Sequence, residues 1–504
     1  MAGPAVSTAG IDFADIQGLV RFGHGGLSEA CFLLLEVVDA QAARAWLRTA
    51  PVTSAVATDP PPATALQIAF TSAGLAELGL PEAVVAQFSD EFIAGMAGAA
   101  SHSRRLGDVG EDAPASWLWG GRADTVPHLL VMLYAAPGGL GAWEAAIQGP
   151  YWPAAFRLQR RLGTDDMGEI EPFGFADGLS QPKLDWERRL DVDTHGRAGY
   201  ANVLALGEVL LGYTNEYGQY TARPLLDATA ADLPPAEDAP DRHDLGRNGT
   251  YLVFRHLRQD VRGFWRFLDA QAGGDPRTRE RLGAALVGRH RSGAPLLTIG
   301  GPPIAGVGPE PEDVAANQFT YDADVDGKGC PLGAHVRRAN PRTGDLPTGV
   351  GGPLSRLRRI LGFVRPSLRT DTVASVRFHR LLRRGREYGA HVEPEAALGP
   401  APPSEPETGL HFICLVANIA RQFEFVQNAW TASSKFNGLS GETDPLLGNR
   451  QPLANGDRTD GFTIPQAHAT ARRLEGLPRF VTVRGGAYFF LPGIRALRYI
   501  ASAP

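Results

Sequence analysis

Short apolar runs, each closed by glycine, proline or aspartate, recur along the chain and set its expected architecture. Residues 30–38, 66–71 and 128–134 are such runs and read as buried strands. Between the first two, the Ala- and Leu-rich residues 39–47 favour a helix. The second half repeats the alternation. Residues 251–255 read as a strand, and Val261, Phe264, Trp265 and Leu268 then fall at i, i+3, i+4 and i+7, one face of a helix. Residues 376–382, 410–416 and 479–483 supply further strands. Each half is a mixed α+β unit, which places one domain at 1–240 and another at 241–504. The Asp-, Ala- and Pro-rich residues 228–245 read as a solvated linker between them. Residues 391–408 read as a long loop joining two strands, and 440–460 as another, rich in Gly, Asn and Asp.

Composition narrows the function classes. At 504 residues the chain has reached the size at which one core stops growing, in keeping with two domains. A net charge of -6, from 49 basic and 55 acidic residues, gives no footprint for nucleic acid or an anionic membrane, so the expected partners are small molecules. Cys31, Cys330 and Cys414 are odd in number and far apart, which argues against a disulfide framework. No CxxC, CxxCH or HExxH occurs, which speaks against zinc and covalently attached haem. The opening residues carry no basic patch, apolar core or twin arginine, and the longest apolar runs fall short of a bilayer span, so a cytoplasmic protein is expected. The glycine clusters Gly306-Val307-Gly308 and Gly351-Gly352 lack a strand before and a helix behind, and read as loop glycines rather than a nucleotide cradle.

Two islands carry chemistry. In Glu171-Pro172-Phe173-Gly174-Phe175-Ala176-Asp177-Gly178, one carboxylate sits among glycines and aromatics. In Gly333-Ala334-His335-Val336-Arg337-Arg338-Ala339-Asn340-Pro341-Arg342, one imidazole precedes a guanidinium cluster. An imidazole beside small residues suits the axial ligand of a haem iron, and arginine forks match two propionates. Arg337 and Arg342 are the expected carboxylate binders, with Arg338 equally a residue of a solvated face. Asp177 in this setting can move a proton on bound hydrogen peroxide, although an Asp-Gly pair is also an ordinary turn. Arg383 could project into the same pocket and hold Asp177 ionised. Arg384 competes for that place, since strand alternation puts only one of them on the pocket side.

These residues resemble the dye-decolorizing peroxidases, through the GxxDG motif Gly174-Phe175-Ala176-Asp177-Gly178 and the segment from His335 to Arg342. The resemblance continues through 66–75, 248–255, 418–425 and 479–486 and is similar to the longer members of the family. It implies an α+β protein of the dimeric α+β barrel superfamily: two ferredoxin-like domains, each an antiparallel sheet flanked by helices, with haem b held mainly by the second. It makes His335 the axial ligand and Asp177 and Arg383 the distal pair, with Phe175 and Gly178 against the cofactor. Some members carry an asparagine two residues after the distal arginine, where this chain has Gly385. The carboxylate that commonly supports the axial imidazole aligns near Asn418, with Glu424 further along. On that alignment His335 lacks an acidic partner.

The implied activity is reduction of hydrogen peroxide at the expense of dyes, phenols or other bulky aromatic electron donors. Trp430, Tyr388 and Tyr488 are surface relay candidates by residue type. A haem-handling, deferrochelatase-like protein with incidental peroxidase activity is the rival reading, and a homo-oligomer is left open.

Overall fold

The computed structural model describes residues 10–168, 170–188, 202–227, 232–297, 317, 319–342 and 376–502. Nine strands among them join one sheet. In chain order they are β1 (Glu29–Val37), β2 (Thr64–Phe70), β3 (Leu129–Ala135), β4 (Phe156–Gly163), β5 (Thr250–Gln259), β6 (Leu382–Arg383), β7 (Arg386–Tyr388), β8 (Gly409–Val416) and β9 (Val481–Leu491). They lie in the order β6-β8-β5-β9-β2-β3-β1-β4, with β7 also on β8. The first half contributes β2-β3-β1-β4 and the second β6-β8-β5-β9, the same permutation of four strands. A single pair, Phe490 opposite Phe70, joins them.

The apolar runs become strands because the sheet is covered on both faces. Leu33 and Leu35 enter one core and Phe32 and Leu34 the other, so period-two alternation is replaced by continuous burial. Helix α1 (Ala40–Thr49) starts where the Asp39 carboxylate accepts the Ala42 N–H at 2.9 Å. Helix α2 (Val261–Ala272) starts in the same way at Asp260 and ends at Gly273, whose φ of 63° suits the left-handed turn. It buries Val261, Phe264, Trp265 and Leu268, the four residues expected from the spacing.

Two expectations fail. Residues 376–382 do not form a strand: Val376–His379 is a short helical turn, and pairing begins only at Leu382. Arg377 there binds Glu216 and His379 stacks on Phe425, tertiary partners that override the local β pattern. The described part of the supposed linker, residues 232–245, is packed rather than solvated. Leu233, Ala236 and Leu245 are buried, and Arg223 bridges Asp238 and Asp244. The glycine clusters at 306–308 and 351–352 lie outside the described residues. The three cysteines are free and buried. Among the described residues no helix is long and apolar enough to cross a membrane.

Candidate active site

The loop after β4 carries the first island back on itself. The Glu171 N–H donates to the Phe175 carbonyl (2.9 Å) and the Gly174 N–H to the Glu171 carbonyl (2.8 Å). The Trp265 indole on α2 donates to the Phe173 carbonyl at 3.1 Å, and the Phe175 and Trp265 rings lie parallel, 6.2 Å apart. Held in this way, Phe175 and Asp177 reach the wall of a large, mainly apolar cavity. Gly178 does not line it. Its φ of 78° turns the chain, and its N–H supports the Asp177 carboxylate.

Strand β6 supplies the partner. Arg383, paired in the sheet with Cys414, directs its Nη1 to the Asp177 carboxylate at 3.0 and 3.4 Å. Arg384 points the other way, donating to the carbonyls of Leu19 and Val20 at 2.8 Å each. The alternation of the strand thus selects Arg383 for the cavity. Burial pushes the Asp177 carboxyl up, but the Arg383 charge, the Gly178 N–H and the Arg383 hydrogen bond outweigh it and hold the group below the usual carboxylate range.

His335 opens a short helix, α3 (His335–Ala339), where the sequence showed no periodicity. The helix is anchored by its arginines. Arg338, wholly buried, donates to the carbonyls of Gly333, Trp430, Ser433 and Glu442. Arg337 is spent on the Asp324 carboxylate (2.8 Å) and on the carbonyls of Cys330 and Asp324. It does not reach the cavity, and its expected role at the cofactor carboxylates is corrected: the nearby acid Asp324 captures it. Arg342 is buried against Asn317 and Phe319 and, at 3.5 Å, against Ser180, which lines the cavity. Its Nε is buried without a hydrogen-bond partner among the described residues.

His335 lines the same cavity as Asp177 and Arg383. Its Nδ1 lies 3.0 Å from the Asp444 carboxylate. That acid is fully buried and also accepts the N–H groups of Leu446 and Leu447 at 2.9 Å. The expectation that no acid supports His335 is therefore overturned. Asn418 instead accepts the Arg421 N–H, and Glu424 is bound to His102, Arg105 and Tyr488. Burial works against the His335 imidazolium, yet the Asp444 charge and hydrogen bond prevail and raise its pKa. Asp444-Pro445 in a Gly- and Asn-rich stretch reads as a turn, so no signal in the sequence singles it out.

Sequence reasoning also missed Arg289 and Arg380, both on the cavity wall. The Arg289 pKa is pushed down to about 10 by burial and then by the charges of Arg342 and Arg383. Three guanidiniums are thus crowded near one another, which a dianionic ligand would relieve. These residues fit a haem: one imidazole whose second nitrogen has no hydrogen-bond partner among the described residues, apolar walls, and cations for two carboxylates.

No protein-family model matches the chain. Dye-decolorizing peroxidase msp1 of Mycetinis scorodonius is 28% identical across 99% of this chain and 90% of its own length. The multifunctional dye peroxidase DyP2 of an Amycolatopsis species is 31% identical across 65% of this chain and 60% of its own. A solved fungal DyP-type peroxidase from Auricularia auricula-judae superposes with a TM-score of 0.72 at 24% identity, covering 98% of this chain and all of that one. Over nearly its whole length the chain is thus similar to dye-decolorizing peroxidases. These relatives mark it as an oxidoreductase acting on peroxide, and its two permuted half-sheets are the ferredoxin-like units of the dimeric α+β barrel fold.

Of the relay candidates in this peroxidase, Tyr488 and Trp430 are buried, at 1% and 6% exposure, and only Tyr388 is half-exposed. Its hydroxyl lies 3.2 Å from both Glu407 Oε1 and the Leu257 carbonyl oxygen, which share its one proton. A surface role for the other two side chains is thereby corrected. Tyr217 and Tyr151, both exposed, were not singled out by sequence.

Proposed function

We propose that this peroxidase holds haem b through His335 and reduces hydrogen peroxide to water, taking electrons from dyes, phenols or other bulky aromatic donors. The observation that carries the reading is the Asp177–Arg383 pair, 3.0 Å apart in the cavity that His335 lines. When bound, the haem supplies the iron at which peroxide is cleaved and the oxidising power passed to donors. The side chains do the rest. Asp444 fixes the tautomer and direction of His335 and makes its free nitrogen a stronger ligand. Arg289 and Arg342 are positioned to take the propionates.

Asp177, kept ionised by Arg383, takes the proton from the inner oxygen of peroxide and returns it to the outer one, which leaves as water. Arg383 offsets the negative charge that grows on the departing oxygen. Phe175, Leu381 and Phe412 keep bulk water from the reacting atoms. Large dyes do not fit beside these residues, so donors are oxidised from outside the cavity, with half-exposed Tyr388 the relay among the three candidates.

Peroxide-dependent dye oxidation by wild type, Asp177→Asn and Arg383→Ala tests the assignment, with haem occupancy followed by absorbance. The expected result is a loss of roughly 10²–10⁴-fold in both variants at unchanged occupancy. Equal rates in all three proteins would overturn it and leave the haem-handling reading.

A further inference from the structure

A second acid shares the cavity with Asp177. Glu171 lies six residues earlier, at the start of the same turn, and lines the same wall. Its two oxygens are held by neutral donors, the Gln259 amide at 2.8 Å and the Phe175 N–H at 3.3 Å. Among the described residues no basic side chain forms an ion pair with it. The two carboxyls therefore sit in contrasting settings, one paired with a guanidinium and one enclosed without a cation. Such a contrast separates a standing acid from a standing base.

We propose that Glu171 is a second proton-carrying residue of the peroxide site, storing a proton that Asp177 relays after peroxide has been cleaved. The inference rests on the assignment of Asp177 given above. In the step, Glu171 releases its carboxyl proton to a water in the cavity, and that water protonates the Asp177 carboxylate. Asp177 passes that proton on to the oxygen being reduced to water and returns to the carboxylate, so Glu171 is left as the anion and only O–H bonds are exchanged. One turnover consumes one hydrogen peroxide, two electrons and two protons and releases two waters, so the site needs a supply of protons besides the one Asp177 shuttles within peroxide. Glu171 recovers its own proton from solvent.

Three features support this role. Burial, followed by the Asp177 charge, moves the Glu171 carboxyl up to about 7, so it is still neutral where Asp177 is ionised. Gln259 Oε1 is buried without a partner among the described residues, and turning the amide over lets it accept the proton of neutral Glu171. The pair thus serves both protonation states. The other charged groups nearby are engaged elsewhere: Arg383 with Asp177, His335 with Asp444, Arg255 with Asp108, and Asp112 with Arg479. Arg291 caps the turn through the Gly174 carbonyl and faces Glu280 and Glu393. Glu387 lies on the Asp177 side of this group, and Arg289 and Arg380 complete the charged wall.

Haem-loaded wild type, Glu171→Gln and Asp177→Asn are compared from about pH 5 to about pH 8 by peroxide turnover and by infrared difference spectroscopy. The wild type is expected to lose a protonated-carboxyl C=O band, and its activity, with a shared midpoint near 7. Glu171→Gln should lack that band and show a low rate that no longer changes over this range. If Glu171→Gln stays as fast as wild type, or keeps the alkaline decline, the Glu171 assignment falls. A purely electrostatic role gives that first result, because a neutral glutamine would leave the rate high at every pH. If Asp177→Asn is itself as fast as wild type, the underlying reading fails whatever Glu171 does.

Discussion

At the scale of single residues, the chemistry depends on which partner each charged side chain finds. Asp177 and His335 were legible because a lone carboxylate and a lone imidazole stood in unusual surroundings. Asp444 was not, since an aspartate before proline in a Gly- and Asn-rich stretch looks the same whether it makes a turn or supports an imidazole. Replacing it tests its weight: Asp444→Asn removes the charge behind His335 and should weaken haem retention or turnover by about 10- to 100-fold, read from haem transfer to an acceptor protein and from steady-state rates. The pH profile tests Arg383. Its positive charge keeps the Asp177 pKa low against burial, so Arg383→Ala should raise that pKa. The acidic limb of activity then moves to higher pH, and an unmoved limb would show that some other group sets it. The arginine cluster after His335 shows the limit of such reading. Side-chain type identifies a guanidinium, but the Asp324 carboxylate and six backbone carbonyls decide where Arg337 and Arg338 point.

At the scale of elements, strand β6 does the selecting. Two residues of pairing with β8 suffice to send Arg383 into the cavity and Arg384 into the opposite layer, a consequence of the period of two that the sequence made visible. The place of Gly385 follows from the same pairing. A β-carbon there would meet the His411 carbonyl oxygen at 2.7 Å, so the asparagine found in some family members has no room. Gly385→Asn should cost about 1–3 kcal/mol through displaced backbone and lower turnover by shifting Arg383. Denaturant midpoints and peroxide kinetics measure both, and an unaffected protein would mean that β6 yields without moving the arginine. The short helix that bears His335 escaped pattern reading because five residues are too few to show a period.

Across the whole molecule, acid tolerance is set away from the active site. His24, His256 and His411 are buried, and desolvation lowers their pKa values to about 4, about 4 and about 3. In the unfolded chain they take up protons near 6.5, whereas the folded protein refuses them. Stability is therefore complete above pH 6.5 and declines as pH falls towards 4, by up to roughly 1.4 kcal/mol per pH unit for each histidine. Melting temperature measured against pH should fall through this window, and a flat profile would contradict the burial of these rings. The carboxylate chemistry at Asp177 tolerates acid, so the scaffold rather than the site should limit the enzyme at low pH.

Local pattern by itself determined the buried strands, the amphipathic helix after β5, the two-part α+β layout and the two islands that hold Asp177 and His335. Those features depend on side-chain period and on residue type, which are properties of neighbours along the chain. The tertiary structure alone decided that the halves share one sheet through Phe70 and Phe490, that Asp444 stands behind His335, that Arg289 rather than Arg337 faces the cavity, and that Glu171 lies beside Asp177 without a cation. Each of these joins residues distant in sequence or turns on local competition for a charge. Desolvation and pairing set their energies only once the chain has closed around them.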